Sequence, residues 1–226
     1  MAANFAGTLE KLQKDFEATG IHKLTIISGA TGKLTAQISA GAPFDMLLSA
    51  DDKATKKLAE GGQAVPDSEF TYAIGMLALF SSDPQLIKGD GEAVLKRGNF
   101  TKLAIANPKV APYGIAAEST MAKLGVTDAV KDKIVMGENI AQTFQMIDTG
   151  NAQLGFVALS QVLGSESGSK GSHWVVPGIL HDPIRQNAVL LTRAKDNAEA
   201  KAFLEFLQSP EAREKIKAAG YETADD

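Results

Sequence analysis

Cysteine is absent from the 226-residue chain, which removes disulfides, thiol nucleophiles and thiolate metal ligands together. That absence does not fix the compartment, because a chain of this size needs no covalent staples. Basic charge is not in excess either. Lys and Arg number 23 against 27 Asp and Glu, a net −4 at pH 7, so nucleic acid and anionic membranes are disfavoured as partners. If an anion is bound, its attraction must be local. No apolar run approaches the ~20 residues of a membrane-spanning helix. The three histidines, His22, His173 and His181, show no metal-ligand spacing and none adjoins a nucleophile. Met1 to Asn4 lead at once into a helical pattern, with no basic segment, apolar segment and small-residue cleavage site before it. The expectation is a cytoplasmic protein, or a start that is not that of the natural precursor.

What is present reads as a globular α/β chain. Apolar residues make up 44% and charged residues 22%, enough for one large domain or two small ones. Phe5, Leu9, Leu12 and Phe16 recur at helical spacing, with Asn4 near the N-cap. Leu24 to Ser28 (LTIIS) predicts a short buried strand, and Gly29 to Gly32 turn into a second helix. Phe44 to Ser49 predicts a strand, and Asp51 caps a helix ending near Gly61 and Gly62. The alternation continues through strands at Leu103 to Asn107 and Leu154 to Leu159, which argues for parallel sheets covered by helices. Ser165 to Ser172 (SESGSKGS) reads as a polar loop, and two helices close the chain. Phe70 to Ser81 is longer than a typical strand, so it is expected to cross from one lobe to another, with Ala188 to Thr192 returning. The predicted lobes are residues 1–80 with 189–226, and 81–188.

Four junctions share one chemistry: Ala3-Asn4, Ala30-Thr31-Gly32, Pro112-Tyr113-Gly114 and Asn139-Ile140. Each presents main-chain N–H groups at a helix start, where the helix dipole also favours negative charge. Two fall in each predicted lobe, so an anion held between lobes by neutral donors is one reading. Ordinary capping is the other, and any single junction is more often only that. Lys33 is the only cation adjoining them, and none contains Arg.

Other chemistry fails on spacing. Gly29 to Lys33 (GATGK) is not a phosphate-binding loop, because Ile27 stands where its first Gly must be and Leu34 where Ser or Thr must follow Lys. Gly164 to Gly168 is not a nucleophile elbow, since Glu166 replaces the central Ser. Glu118 and Glu138 are isolated carboxylates, the second beside one of the junctions. A non-enzyme is expected.

Ala3 to Leu9 (ANFAGTL), Ser28 to Gly32 (SGATG), Gly41 to Phe44 (GAPF) and Ser49 to Asp51 (SAD) resemble the periplasmic molybdate-binding proteins of ABC importers. So do Phe70 to Gly75 (FTYAIG), Ala111 to Ile115 (APYGI), Leu154 to Leu159 (LGFVAL), Gly171 to Trp174 (GSHW) and Ala218 to Tyr221 (AAGY). The resemblance runs the length of the chain and lies closest to the subgroup with Asn in the first loop. It implies a type II periplasmic binding-protein fold, α/β with a mostly parallel sheet in each lobe and a two-strand hinge. It implies molybdate or tungstate as ligand, no cofactor, no metal cation, a membrane permease as partner, a periplasmic location and a monomeric state. Carried over by position, the oxyanion-binding residues are Ala3, Asn4, Thr31, Tyr113 and Ile140. Ala3 stands where the subgroup can place Thr, and Ala158 where other members place a hydroxyl-donating Tyr, so both hydroxyls are missing. Family members begin with a strand just before the Ala-Asn loop. That first strand is expected to be missing from this chain, through truncation at an internal Met or a misassigned start.

The expected mechanism is lobe closure about the crossing strands on a deprotonated dianion, which neutral donors suit because nothing must accept a proton. Sulfate is then excluded by size. The competing readings are a binding protein of the same fold for sulfate, phosphate or a small carboxylate, and an enzyme on that scaffold, in the style of a deaminase or synthase. A ligand-sensing module would need a DNA-binding segment that this chain lacks.

Overall fold

The structure is a computed structural model that describes residues 1–20 and 23–224; His22 lies outside the described residues. Two compact units emerge, Met1–Gly75 with Arg185–Asp226, and Met76–Ile184. The junctions fall at 75/76 and 184/185, earlier than the expected 80/81 and 188/189. The reason lies in FTYAIGMLALFS, which is two strands broken at Met76 and belonging to two different sheets.

The first unit begins with a 3-10 turn, Ala3–Phe5, then α1 (Ala6–Ala18), α2 (Thr31–Ser39), β1 (Met46–Leu48), α3 (Lys53–Glu60) and β2 (Phe70–Gly75). The second contains β3 (Leu77–Ser81), α4 (Gly91–Arg97), β4 (Leu103–Ala106), α5 (Pro112–Lys123), α6 (Thr127–Val130) and β5 (Ile134–Gly137). It continues with α7 (Ile140–Asp148), β6 (Leu154–Ala158), α8 (Leu159–Leu163), α9 (Glu166–Lys170) and β7 (Ser172–Val175). Strand β8 (Ile184–Leu190) returns the chain to the first unit, which ends with α10 (Ala198–Leu207) and α11 (Pro210–Ala218).

The first unit carries a three-stranded sheet in the order β1-β8-β2, with β1 antiparallel to β8. One face is packed by Phe5, Leu9, Leu12 and Phe16, which the helical spacing of α1 brings to a single stripe, and by Phe203, Leu204 and Leu207 of α10. Phe16 meets Phe203 edge-on at 5.2 Å and Phe206 at 5.5 Å, so the first and tenth helices are joined by aromatic contacts. The opposite face holds Leu34, Ile38, Leu47, Leu58 and Val189. In the second unit the order is β5-β4-β6-β3-β7. Only β5-β4 and β4-β6 are parallel; β3 runs antiparallel to both β6 and β7. The sheet is therefore mixed where strand-helix alternation predicted a mostly parallel one. The cause is that β3 enters directly from the other unit without a helical crossover, the connection that parallel neighbours need.

Three expectations change. Asn4 is not the cap of α1: it sits inside the 3-10 turn, and Phe5 occupies the cap position. SESGSKGS is not a loop, because the Ser165 hydroxyl accepts from Gly168 N–H and starts α9, with Lys170 paired to Glu166 one turn on. Leu24 to Ser28 is not a buried strand. It is partly exposed and carries no regular secondary structure, and only its continuation, Gly29, forms a bridge, parallel to Ala2.

The segment lies against a groove of about 430 Å³ lined by Leu9, Phe16, Leu24, Ile26, Met46 and Phe203. Met1 also lines it; Ala2 N–H donates to Leu48 O at 2.8 Å and Gly29 N–H to Met1 O at 3.2 Å. Met1's amine donates to Ile27 O at 2.6 Å, and burial pushes its pKa down to about 6. The groove is lined mainly by apolar side chains, with Asp45 and Glu199 also on its lining, and none of the expected ligand residues lines it.

Candidate anion-binding site

In the first unit the expected residues gather through main-chain bonds. Ala3 N–H donates to Gly29 O at 3.0 Å, which fixes the first loop beside the turn that begins α2. Thr31 opens that helix behind Ala30, whose side chain provides no cap. The first N–H groups of α2 have no intrahelical acceptor, so this helix start is a donor set. Thr31 Oγ1 accepts from Ala50 N–H at 3.0 Å, which leaves its own proton for another partner. Thr31 is buried, and so are Ala3 and Asn4. The Asp51 carboxylate accepts through Oδ1 from Ala54 N–H at 2.8 Å and from Ser49 Oγ at 3.3 Å.

Two of the expected ligands offer less than their positions suggested. Ala3 N–H is engaged by Gly29, and its side chain is a methyl group, so it presents no donor of its own. The Asn4 side chain points inward. Its amide donates to Gln186 Oε1 at 2.9 Å and to Tyr221 Oη at 3.1 Å, engaging both protons. The Tyr221 hydroxyl in turn donates to Asn4 O at 2.9 Å. Tyr72 Oη lies 2.9 Å from Gln186 Oε1 and 3.1 Å from Ser49 O, with one proton to give. Burial, reinforced by Tyr221, pushes the Tyr72 phenol well above its ordinary range. Phe5 wedges between the two rings, 4.8 Å from Tyr72 and 5.5 Å from Tyr221.

In the second unit, β4 and β5 are parallel neighbours, so α5 and α7 both start at the carboxyl ends of adjacent strands. Asn107 N–H donates to Gly137 O at 2.9 Å and ties the two ends together. Pro112 opens α5, and Tyr113 follows, fully packed. Gly114 is required by contact: a Cβ there would lie 2.1 Å from Ala106 O. Gly137 is required likewise, since its Cβ would meet Thr143 Oγ1 at 2.5 Å, and this lets α7 begin against the end of β5. Asn139 caps α7 by accepting from Gln142 N–H at 3.0 Å, and Thr143 N–H returns to Asn139 O at 3.1 Å. The cap does not reach Ile140 N–H, the first of the helix. Gln161, which sequence reasoning missed, joins Ala158 N–H to Ile140 O through its side-chain amide, each at 3.0 Å. Glu118 and Glu138 are exposed.

The donors in both units are neutral main-chain and hydroxyl groups at helix starts, which suit an oxyanion. Among the described residues no group of three or more His, Asp or Glu side chains comes together to hold a metal ion. Within the same residues no helix is long and apolar enough to cross a membrane.

A model of the family described as "Bacterial extracellular solute-binding protein" matches residues 1–222. The chain belongs to that family. It is 49% identical to the molybdate-binding protein ModA of Azotobacter vinelandii over 98% of its own length and 87% of the relative's. Against ModA of Rhodobacter capsulatus the identity is 48%, covering 99% of this chain and 86% of the relative. Among solved structures, the Azotobacter vinelandii periplasmic molybdate-binding protein superposes with a TM-score of 0.93 at 40% identity, covering 98% of this chain and 96% of that one. These relatives are molybdate-binding proteins by name. The α/β architecture with two sheets is the one they share.

Proposed function

We propose that this chain binds molybdate or tungstate and delivers it to the membrane permease of an ABC importer. The observation that carries the reading is the near-full-length identity to two molybdate-binding proteins. The donor chemistry agrees with it. In the first unit the donors are the Thr31 hydroxyl, the N–H groups at the start of α2, and the main chain of Asn4. In the second they are the N–H groups of Tyr113 and Ile140. The N–H groups can only donate, and Thr31 Oγ1 already accepts from Ala50 N–H, so a fully deprotonated dianion is preferred over a protonated phosphate. The chain acts as a monomeric carrier outside the cytoplasmic membrane and catalyses no reaction.

Isothermal titration with molybdate, tungstate, sulfate and phosphate tests this. Molybdate and tungstate should bind at least about 100-fold more tightly than sulfate, a difference of ~2.7 kcal/mol. Equal affinity for sulfate or phosphate, or no heat with molybdate, would overturn the assignment.

A further inference from the structure

The Asn4 side chain is the most diagnostic residue of the first loop, yet it does not present its amide to a ligand. It is buried, and both amide protons end on acceptors from elements remote in sequence, Gln186 of β8 and Tyr221 after α11. Tyr221 closes the pair by donating to the main-chain carbonyl of the same residue, so Asn4 is held by side chain and backbone at once. Gln186 is itself fully buried and receives the Tyr72 hydroxyl on the same oxygen. We propose that Gln186 and Tyr221 are positioning residues for oxyanion binding, which clamp Asn4 and thereby set the main chain of the first loop.

This inference rests on the molybdate reading above. Its physical content is that a backbone donor set binds well only when it is already in place, since ordering it at the moment of binding weakens affinity. A 3-10 turn of three residues has too few internal bonds to hold itself. Phe5 anchors its far end between Tyr72 and Tyr221, and the Asn4 clamp anchors its centre. Removing the Tyr221 hydroxyl frees one amide proton and one carbonyl in a buried place, and the turn must shift to satisfy them.

The test compares Tyr221→Phe and Gln186→Leu with Tyr72→Phe. The last removes a bond to Gln186 but none to Asn4, so it controls for general loss of packing. Three readouts are needed: the Kd for molybdate by titration, the Tm without ligand, and hydrogen exchange of the Ala2 to Phe5 amides in the free protein. Tyr221→Phe and Gln186→Leu should raise Kd about tenfold or more at temperatures well below Tm, and speed exchange in the first loop. Tyr72→Phe should lower Tm while keeping Kd within about twofold. A purely structural network would lower Tm in all three and leave Kd alike, and that result overturns the proposal. Wild-type protein that gives no heat with molybdate or tungstate rejects the functional reading itself. Faster loop exchange in Tyr221→Phe would then still show the clamp, and unchanged exchange would remove it.

Discussion

The Tyr221 hydroxyl donates to the carbonyl of Asn4 at 2.9 Å across 217 positions of sequence. The bond joins the segment after α11 to the first turn of the chain, and both belong to the same unit. It is reinforced from the strand side, where Ile74 and Glu222 form an isolated antiparallel bridge next to it. The C-terminal segment is thus pinned by backbone and side chain alike, and the first loop inherits its position from it. The loop's donors depend on contacts made at the opposite end of the polypeptide.

Thr31 should be the most sensitive hydroxyl in the first unit. Thr31→Val replaces the oxygen that accepts Ala50 N–H and removes the proton offered to a ligand. Losing a buried partner costs about 1–3 kcal/mol, so the molybdate Kd should rise roughly tenfold or more. Thr31→Ser keeps both functions and should stay within about threefold of the parent. Titration of the pair decides it: equal Kd for Val and Thr would remove Thr31 from the donor set.

Asn139→Asp separates capping from binding at the second unit. Asp caps as well as Asn and sits well at a helix start, so Tm should hold or rise slightly. The new charge, however, lies one residue from Ile140. Repulsion of a nearby dianion is on the order of 2 kcal/mol, a rise in Kd of about 30-fold, and part of it should vanish at high salt. Unchanged affinity at low salt would show that Ile140 is not near the ligand.

Tyr72 sets an alkaline limit. Its phenol is held protonated in the folded state by burial, whereas the unfolded chain releases that proton near pH 10. Above about pH 10 the folded state therefore binds more protons than the unfolded one, and stability falls as pH rises. Below that pH the contribution is fully present. Urea unfolding of wild type and Tyr72→Phe from pH 8 to 11 should give curves that are parallel up to about pH 10, with the wild type falling faster beyond it. Parallel curves throughout would mean that Tyr72 ionises freely in the fold.

Local signals made the helix-start junctions legible. Pro at the first position of α5 and the Asn139 cap are short-range patterns, and the structure adds only why Gly114 and Gly137 are needed. Gln186, Tyr72 and Tyr221 were not legible, because the bonds that join them to Asn4 and to each other span 182, 114 and 217 positions. Periodicity finds faces, but it cannot pair a buried amide with a partner that far away. The Leu24 to Ser28 reading failed for a related reason. Composition can mark a segment as strand-like, whereas a strand exists only where a neighbouring edge supplies hydrogen bonds.

The same segment leads to the last prediction. Leu24 and Ile26 line the apolar groove of about 430 Å³, and Ala200 of α10 contributes one wall. Ala200 is 3% exposed, so a longer apolar side chain there enters the groove instead of solvent. Leu is also a good helix former and keeps the N–H that Asn197 Oδ1 accepts at 3.1 Å. Ala200→Leu should therefore stabilise the chain by about 0.5–2 kcal/mol, the usual gain from filling a void. For a domain of this size each kcal/mol moves Tm by roughly 2–4 °C. Molybdate affinity should not change, because the groove excludes Asn4 and Thr31. Calorimetry with and without ligand measures both quantities. A lower Tm would mean that the groove is already closed in solution, with Leu24 and Ile26 packed where the new side chain would go.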